Sequence, residues 1–549
     1  MAQTIARAAP RFVPTGPRLA PRPIADIIGR SGFTYQPRKA KDAFIPSPQQ
    51  TDVFDAIEYG TGNYFIEAVA GSGKTTTLVC GKGLMKGTVF LCAFNTAIAD
   101  ELKVKVAEQK LDMPGDRVST IHSYGFAQWR RRAPKVRRDP DKLRGIIDMH
   151  IQRGESSLKV LQGWVAKVIR LAKQYLIGVT TEASDAKAWD LLIERFNLDD
   201  DLPEGFTIET ALRAAQTIMA ESVAMMAESI DYDDMIYAPL LYRVKMDQYD
   251  NVVVDEGQDL SPARLELARR ALKPNGRFFG VGDSRQAIYA FAGAAADSVE
   301  QIKAVFNAKT LPLTYTRRCP KKVVAYVHQW VSHIQAHPDA PEGEVRAPRL
   351  QAGLSGVDGE PAPWFLHETP DAASAILCRK NKPLVKTAYG LIRAGIPCRI
   401  EGRDIGKGLT ALARKWKGVK TIEGLMNRLG KWLAGGKKMT ESARQDAEDK
   451  VETIGVFAER CRALGLSTVA ELCAEIDRLF ADDIKGVITL CSGHKAKGRE
   501  WDTVYILQTS PINKPMQDWE YVQEDNLRYV MGTRAKATLV LVPEDEKKD

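Results

Sequence analysis

At 549 residues, 44% hydrophobic and 27% charged, the chain has the composition of a soluble globular protein and enough length for roughly three to four domains of ordinary size. No uninterrupted apolar run approaches the ~18 residues that a membrane span requires, and the eight cysteines (80, 92, 319, 378, 398, 461, 473 and 491) include no CxxC pair, so the pattern argues against a zinc site or iron–sulfur cluster and favours a reducing compartment. The net charge of +9 is concentrated at one end: residues 1 to 41 hold eight Lys/Arg against Asp26 alone, which leaves the remaining body nearly neutral.

That first segment is also proline-rich (Pro10, Pro14, Pro17, Pro21, Pro23) and lacks an apolar h-region. Residues 1–44 therefore read as a disordered basic arm, solvated or touching nucleic acid, and not as a secretory signal. An Arg-rich, acid-poor organelle transit peptide is the alternative.

Past the arm, YFIEAVA predicts a strand and TTTLVCGKGLM a helix, with GSGK at the turn between them. This is the context in which backbone N–H groups and a helix N-terminus bind phosphate. The loop Ala70, Gly71, Ser72, Gly73, Lys74, Thr75, Thr76 is expected to cradle a nucleoside triphosphate. Lys74 would reach the β/γ-phosphates and the Thr75 hydroxyl would hold Mg²⁺. The spacing Gly-x4-Gly-Lys-Ser/Thr is met except at its first position, Ala68.

Short β-branched runs then recur between helical stretches: NYFIEAV, TVFLCAF, NVVVDE and RFFGVGD, followed by AILCRK, GVITLCS, TVYILQ and ATLVLV. Strands alternating with helices predict two α/β cores of four parallel strands each. Residues about 126–230 and 406–484 are rich in Ala, Leu, Lys, Arg and Glu with helical spacing and read as helical insertions. The expected domains are therefore 45–125 with 231–310, interrupted by 126–230, and 311–405 with 485–549, interrupted by 406–484.

NVVVDEGQD (251–259) ends a strand in two acids. Asp255 could hold Mg²⁺ through water, and Glu256 could take a proton from the attacking water. RFFGVGDSRQAIYAFAGA (277–294) delivers Asp283 and Gln286 to a strand's carboxyl edge, with Tyr289 and Phe291 directly after. An amide that senses a γ-phosphate, one turn from rings on which bases stack, would couple hydrolysis to grip on a strand. The run RRRAPKVRR (130–138), six Lys/Arg in nine residues, is either a phosphate contact or a solvated basic face.

In this order the motifs resemble the UvrD/Rep family of superfamily 1 DNA helicases, and AFNTAIADEL (93–102) is most similar to F-box DNA helicases and related bacterial or phage proteins, although no F-box is evident. The resemblance runs from Ser47 to Arg534. It implies an α/β fold of two RecA-like parallel-sheet motor cores of the P-loop NTPase type, with two mainly helical inserted subdomains. PSPQQ (46–50) resembles the adenine-reading Q motif, with Gln50 preferred over Gln49. Phe94 and Asn95, and Thr120 and His122 of TIHS, match segments that touch single-stranded DNA. DYDD (231–234) resembles the family's acidic stretch before the Walker B strand. LTYTRRCP (313–320) places Arg318, or Arg317, at the γ-phosphate. In SGHKAKGREWD (492–502), Ser492 and His494 fall on the DNA side and Gly498 and Glu500 nearer the nucleotide. YVMGTRA (529–535) supplies Arg534 as a second arginine finger. Ala292, Arg499 and Met531 depart from the residues usual in the family.

The resemblance implies an ATP-dependent single-stranded DNA translocase and DNA helicase of 3′ to 5′ polarity acting in repair, recombination or replication, with ATP and Mg²⁺ as cofactors. Single-stranded and tailed duplex DNA would be its partners, together with replication or recombination proteins. The expected form is a monomer in the cytoplasm of a bacterial or phage-infected cell. The alternative is an ATP-switched single-strand binding or remodelling protein that loads or evicts partners without unwinding. Intact Glu256, Arg318 and Arg534 favour the hydrolase.

Overall fold

The computed structural model describes residues 45–93, 95–288, 297–351, 362–394, 396–401, 403–434, 441–479, 487–508 and 518–543; the basic arm lies outside them. Two six-stranded sheets, parallel throughout, organise the chain. The first uses β1 (Tyr64–Ala68), β2 (Val89–Ala93), β3 (Arg117–Thr120), β4 (Tyr249–Val254), β5 (Leu272–Gly282) and β6 (Lys309–Leu313) in the order β3-β2-β4-β5-β1-β6. The second uses β7 (Glu344–Arg346), β8 (Ser374–Cys378), β9 (Cys398–Ile400), β10 (Ile488–Ser492), β11 (Trp501–Leu507) and β12 (Ala535–Val542) in the order β7-β12-β11-β8-β10-β9.

Each sheet thus has two strands more than the sequence pattern predicts, and the extra four, β3, β6, β7 and β9, are the four sheet edges. The reason is physical. An interior strand of a parallel sheet is covered on both faces and reads as a continuous apolar run, as in the fully buried VFLCA of β2 and SAILC of β8. An edge strand is half covered, so RVST, KTLPL, EVR and CRI give little apolar signal. Pro312 in β6 is tolerated there because an edge has a side without ladder bonds. Strand β6 carries the first sheet to Leu313, past the expected boundary at 310.

Four helices between the strands of the first sheet, Lys142–Gln152, Leu158–Gln174, Ala186–Phe196 and Ile208–Ala224, form the first insertion. Leu158, Leu161, Val165, Val168 and Ala172 make a stripe at three- and four-residue spacing, buried with Trp189, Leu192 and Ile218 in a core of its own. A two-residue ladder between Arg137–Arg138 and Ser229–Ile230 closes its base. The second insertion, Arg403–Ala413, Ile422–Ala434, Glu441–Ala463 and Val469–Leu479, instead shares one apolar cluster with the second sheet, where Leu425, Ile454 and Phe457 join Ile376 and Leu490. Among the described residues no helix is long and apolar enough to cross a membrane.

Candidate nucleotide and nucleic-acid site

Strand β1 delivers the phosphate-binding loop. Gly71 and Gly73 sit at φ +73° and +83°, a region that favours glycine, and at Gly71 space forbids anything larger: an added Cβ would lie 2.5 Å from Arg318 Cβ and 2.7 Å from Thr316 Oγ1. The Arg317 N–H donates to the Gly71 carbonyl at 2.9 Å, so the segment carrying both candidate arginines lies against the loop. Helix Lys74–Lys82 starts at Gly73 without a side-chain cap, leaving its first N–H groups for a ligand. Among the described residues Ser72 Oγ, which is buried, has no hydrogen-bond partner, a polar atom that a phosphate oxygen would satisfy.

Strands β4 and β5 bring the acids. The Lys74 ammonium lies 3.0 Å from Glu256 Oε1. Burial alone would lower its pKa, but Glu256, Asp255 and Asp283 together outweigh burial and raise it. Asp255, 4% exposed, is held above the ordinary carboxylate range by burial and by Glu256. Burial pushes Glu256 the same way, yet Lys74 and Lys497, with hydrogen bonds from Gln258 and Lys74, bring it below. Glu256 is also a non-glycine residue at φ +52°, the kind of backbone strain that persists where surrounding contacts hold a functional group.

The second sheet closes on this loop. Tyr529, on helix Asp518–Gly532, accepts from the Ala70 N–H at 3.0 Å and donates to Asp283 Oδ2 at 3.1 Å. Burial and Asp283 push its phenol well above the ordinary value, so it stays a donor. Lys497 bridges the Asp259 carboxylate at 2.5 Å and the Gln286 carbonyl at 2.8 Å. Asn526 donates to the Ala287 carbonyl at 3.0 Å. Val69, Ala70 and Ile288 are buried in the second sheet's own apolar cluster.

Gln286 is buried, and its amide donates to Asp283 Oδ2 at 2.7 Å; Asp283 thus gathers Gln286 and Tyr529. Arg318 pairs with Glu500 at 2.6 Å. Arg534 is 1% exposed and is held by the carbonyls of Val530 and Arg499 and the hydroxyl of Thr533. Burial and Arg318 lower it to about 10, which leaves it charged at neutral pH. Arg499, the family departure, pairs with Glu401 and offers only its carbonyl to Arg534. Gly498 stands at φ +83° in open space. Gln50 packs behind the loop, its amide accepting from the Ser47 N–H and donating to Thr77 Oγ1; Gln49 is bonded to Thr314. Thr75 is half-buried and Thr76 exposed at the start of the loop helix.

The candidate DNA contacts lie at or just beyond strand carboxyl ends. Asn95 follows β2 and caps helix Thr96–Glu108 through the Ile98 N–H; Thr120 ends β3 and caps helix Ile121–Arg132 through the Ser123 N–H. Both therefore have a structural duty. Burial and then Arg264 push His122 down to about 3, while burial, Arg379 and Lys497 push His494 down to about 4. Both imidazoles are neutral at physiological pH, suited to hydrogen bonding or stacking and not to pairing with phosphate. Ser492 ends β10. Phe94, Tyr289 and Phe291 lie outside the described residues.

Two motifs take on different work. In DYDD, Asp231 and Asp234 neutralise the buried Lys142 and Lys173 of the first insertion, and Asp233 accepts from Gln174. The RRRAPKVRR run is partly satisfied from within: Arg131 pairs with Asp247, Arg130 and Arg138 lie over Phe126, and Arg132 over Tyr242. Sequence reasoning missed Tyr529 and Lys497, although both stand inside motifs quoted for other residues. Replacing Tyr529 by Phe removes the acceptor of the Ala70 N–H, a loss of about 1–3 kcal/mol when a buried donor goes unpaired. ATP turnover by Tyr529→Phe should fall about tenfold in steady-state assays, with nucleotide affinity little changed; unaltered turnover would show the bridge to be idle.

Comparison with known proteins agrees with this geometry. The UvrD/REP helicase N-terminal domain model matches residues 49–307 and the UvrD-like helicase C-terminal domain model residues 427–545. F-box DNA helicase protein 1 of Schizosaccharomyces pombe is 24% identical over 518 residues, which cover 87% of this chain and 55% of that protein. ATP-dependent DNA helicase UvrD2 of Mycobacterium tuberculosis is 28% identical over 343 residues, covering 54% and 47%. The probable DNA helicase II homolog of Mycoplasma pneumoniae is 22% identical over 599 residues, covering 89% and 82%. The chain spans about half the length of the first two relatives. With both halves of the helicase pattern matched in order, on two parallel sheets that meet at one phosphate loop, the chain belongs to the UvrD/Rep helicase family.

Proposed function

We propose that the chain is a DNA-stimulated ATP hydrolase that moves along single-stranded DNA and separates duplexes, a DNA helicase of 3′ to 5′ polarity in repair, recombination or replication. The observation that carries this reading is the contact of the second core with the phosphate loop through Tyr529 and Arg317, and with Asp259 and the Gln286 carbonyl of the first core through Lys497. Phosphoryl transfer depends on positioning and charge neutralisation, and groups supplied by two bodies are aligned only when those bodies close. Each cycle of closure and release would then move whatever strand both cores hold.

Within the site, Lys74 has a resting partner in Glu256. A γ-phosphate competes for that ammonium, and Glu256, relieved of it, regains basicity toward an attacking water. Gln258 donates to the other Glu256 oxygen at 2.5 Å and orients the carboxylate. Arg318 and Arg534 supply the remaining positive charge. The hydroxyl of Thr75 and the carboxylate of Asp255 are hard oxygen donors suited to Mg²⁺, and the raised Asp255 marks a buried acid pair short of positive charge. When bound, the ion would neutralise charge on the phosphate oxygens.

Strand-displacement assays on duplexes with a 3′ or a 5′ single-stranded tail test both activity and direction. Displacement driven by ATP from the 3′-tailed substrate is expected; faster opening of the 5′-tailed substrate would reverse the polarity, and ATP turnover without opening of either would remove the helicase reading. The expected partners are single-stranded and tailed duplex DNA with replication or recombination proteins, in the cytoplasm of a bacterial or phage-infected cell.

A further inference from the structure

Arg499 departs from the family pattern, and the fold gives its side chain and its main chain different partners. The guanidinium, on a side chain 49% exposed, pairs with the largely buried Glu401, which Arg399 also holds at 3.2 Å. The Arg499 carbonyl accepts from Arg534 Nη1 at 3.2 Å. Glu401 directly follows β9, and its N–H donates to the Leu490 carbonyl of β10 at 2.8 Å. The pair therefore stands at the sheet edge where β10 ends in Ser492, one of the candidate single-strand residues.

As it stands, the candidate finger is stowed. Arg534 Nε donates to the Val530 carbonyl at 2.8 Å and Nη2 to the Thr533 hydroxyl at 3.0 Å, both acceptors within its own turn of chain, and among the described residues the Arg499 carbonyl is the acceptor supplied from another segment. A guanidinium grips a phosphate best as a fork of parallel N–H groups, and Nη1 is occupied while residue 499 is fixed to Glu401. The charges around Glu401 make that fixing reversible. A buried carboxylate stripped of its partner is costly, but this one has two guanidiniums, so Arg499 can leave while Arg399 still compensates the acid. Two cations against one anion leave the group positive, and Arg499 is its exposed member. A backbone phosphate of a strand lying along this edge is the anion that competes with Glu401 for it.

We propose that Arg499 is a positioning residue through which a bound strand stimulates hydrolysis: a phosphate of single-stranded DNA draws its guanidinium off Glu401, residue 499 moves, and its carbonyl releases Arg534 toward the nucleotide. The inference rests on the DNA-helicase reading above. The test uses the full chain and its Glu401→Gln, Arg499→Gln and Arg499→Lys variants, with ATP hydrolysis measured without DNA and with a saturating single-stranded oligonucleotide. Glu401→Gln weakens the resting pair, so its DNA-free kcat should rise several-fold. Arg499→Gln removes the charge that the strand pulls. Its DNA-stimulated kcat should fall about tenfold, the scale of one charge-assisted hydrogen bond, while its KM for ATP holds, which also reports that the variant is folded. Its log–log salt slope for single-strand binding should flatten by about 0.7, the loss of one phosphate contact. Arg499→Lys keeps the charge and should recover part of both effects. An ion pair that only supports the fold would lower both rates in both neutral variants, or leave them at wild-type values; either result would overturn the proposal while the helicase reading stands. A wild-type chain whose ATP hydrolysis no single strand raises would overturn both.

Discussion

Replacing Lys74 by Ala should abolish DNA-stimulated ATP hydrolysis, a loss of at least about a hundredfold, the scale of removing one pre-organised charge from a site of charge development. The expectation follows from position as much as from motif. Lys74 is the largely buried cation, 13% exposed, facing Glu256, Asp255 and Asp283, so its removal would take away the proposed phosphate ligand and leave an acid cluster uncompensated. Breaking a buried ion pair costs about 3–5 kcal/mol when one partner remains, which could mimic a catalytic loss through unfolding. Lys74→Arg separates the two effects. It keeps the charge beside Glu256 but carries a planar head that cannot serve as a compact point charge on the phosphates, so it should fold like wild type and still fail to turn over ATP. Turnover at wild-type level by either purified variant would remove Lys74 from the site.

Much of this arrangement was legible in the sequence because it depends on local order. A phosphate loop needs its glycines, lysine and hydroxyl in consecutive positions, so GSGKTT announces itself, and so does the acid pair at the end of β4. Interior strands are legible for the same kind of reason, being apolar on both faces. Features created by long-range contact were not. Nothing in YVMGTRA distinguishes Tyr529 from a core aromatic until the fold places it on Ala70 and Asp283. Lys497 looks like one of several basic residues in HKAKGRE until it meets Asp259, more than two hundred positions earlier. Edge strands were missed because an edge has one covered side. DYDD resembles an acidic stretch of the family, but its work shows only in the fold, where Asp231 and Asp234 face Lys142 and Lys173 in the insertion, partners that no sequence window contains.

Gln286 is expected to couple the ATP site to the grip on DNA. Its amide is bonded to Asp283, which also receives Tyr529, and its carbonyl receives Lys497; both ends of the residue are therefore tied to groups that belong to, or contact, the second core. A change at the γ-phosphate that shifts the Gln286 side chain must also shift the main chain leading to residues 289–291. Gln286→Ala should retain nucleotide and DNA binding while losing much of the DNA-stimulated rate and nearly all unwinding. Lys497→Gln cuts the other tie and should produce the same separation of effects with the Gln286 side chain intact. Because the two residues act through one link, their double variant should lose less than the sum of the single losses, the non-additivity expected of groups in direct contact. The informative ratio is base pairs opened per ATP consumed, which a general loss of stability would not lower in the surviving folded fraction. Normal opening per ATP in Gln286→Ala, or fully additive losses in the double variant, would show that this loop supports the fold and does not transmit the nucleotide state.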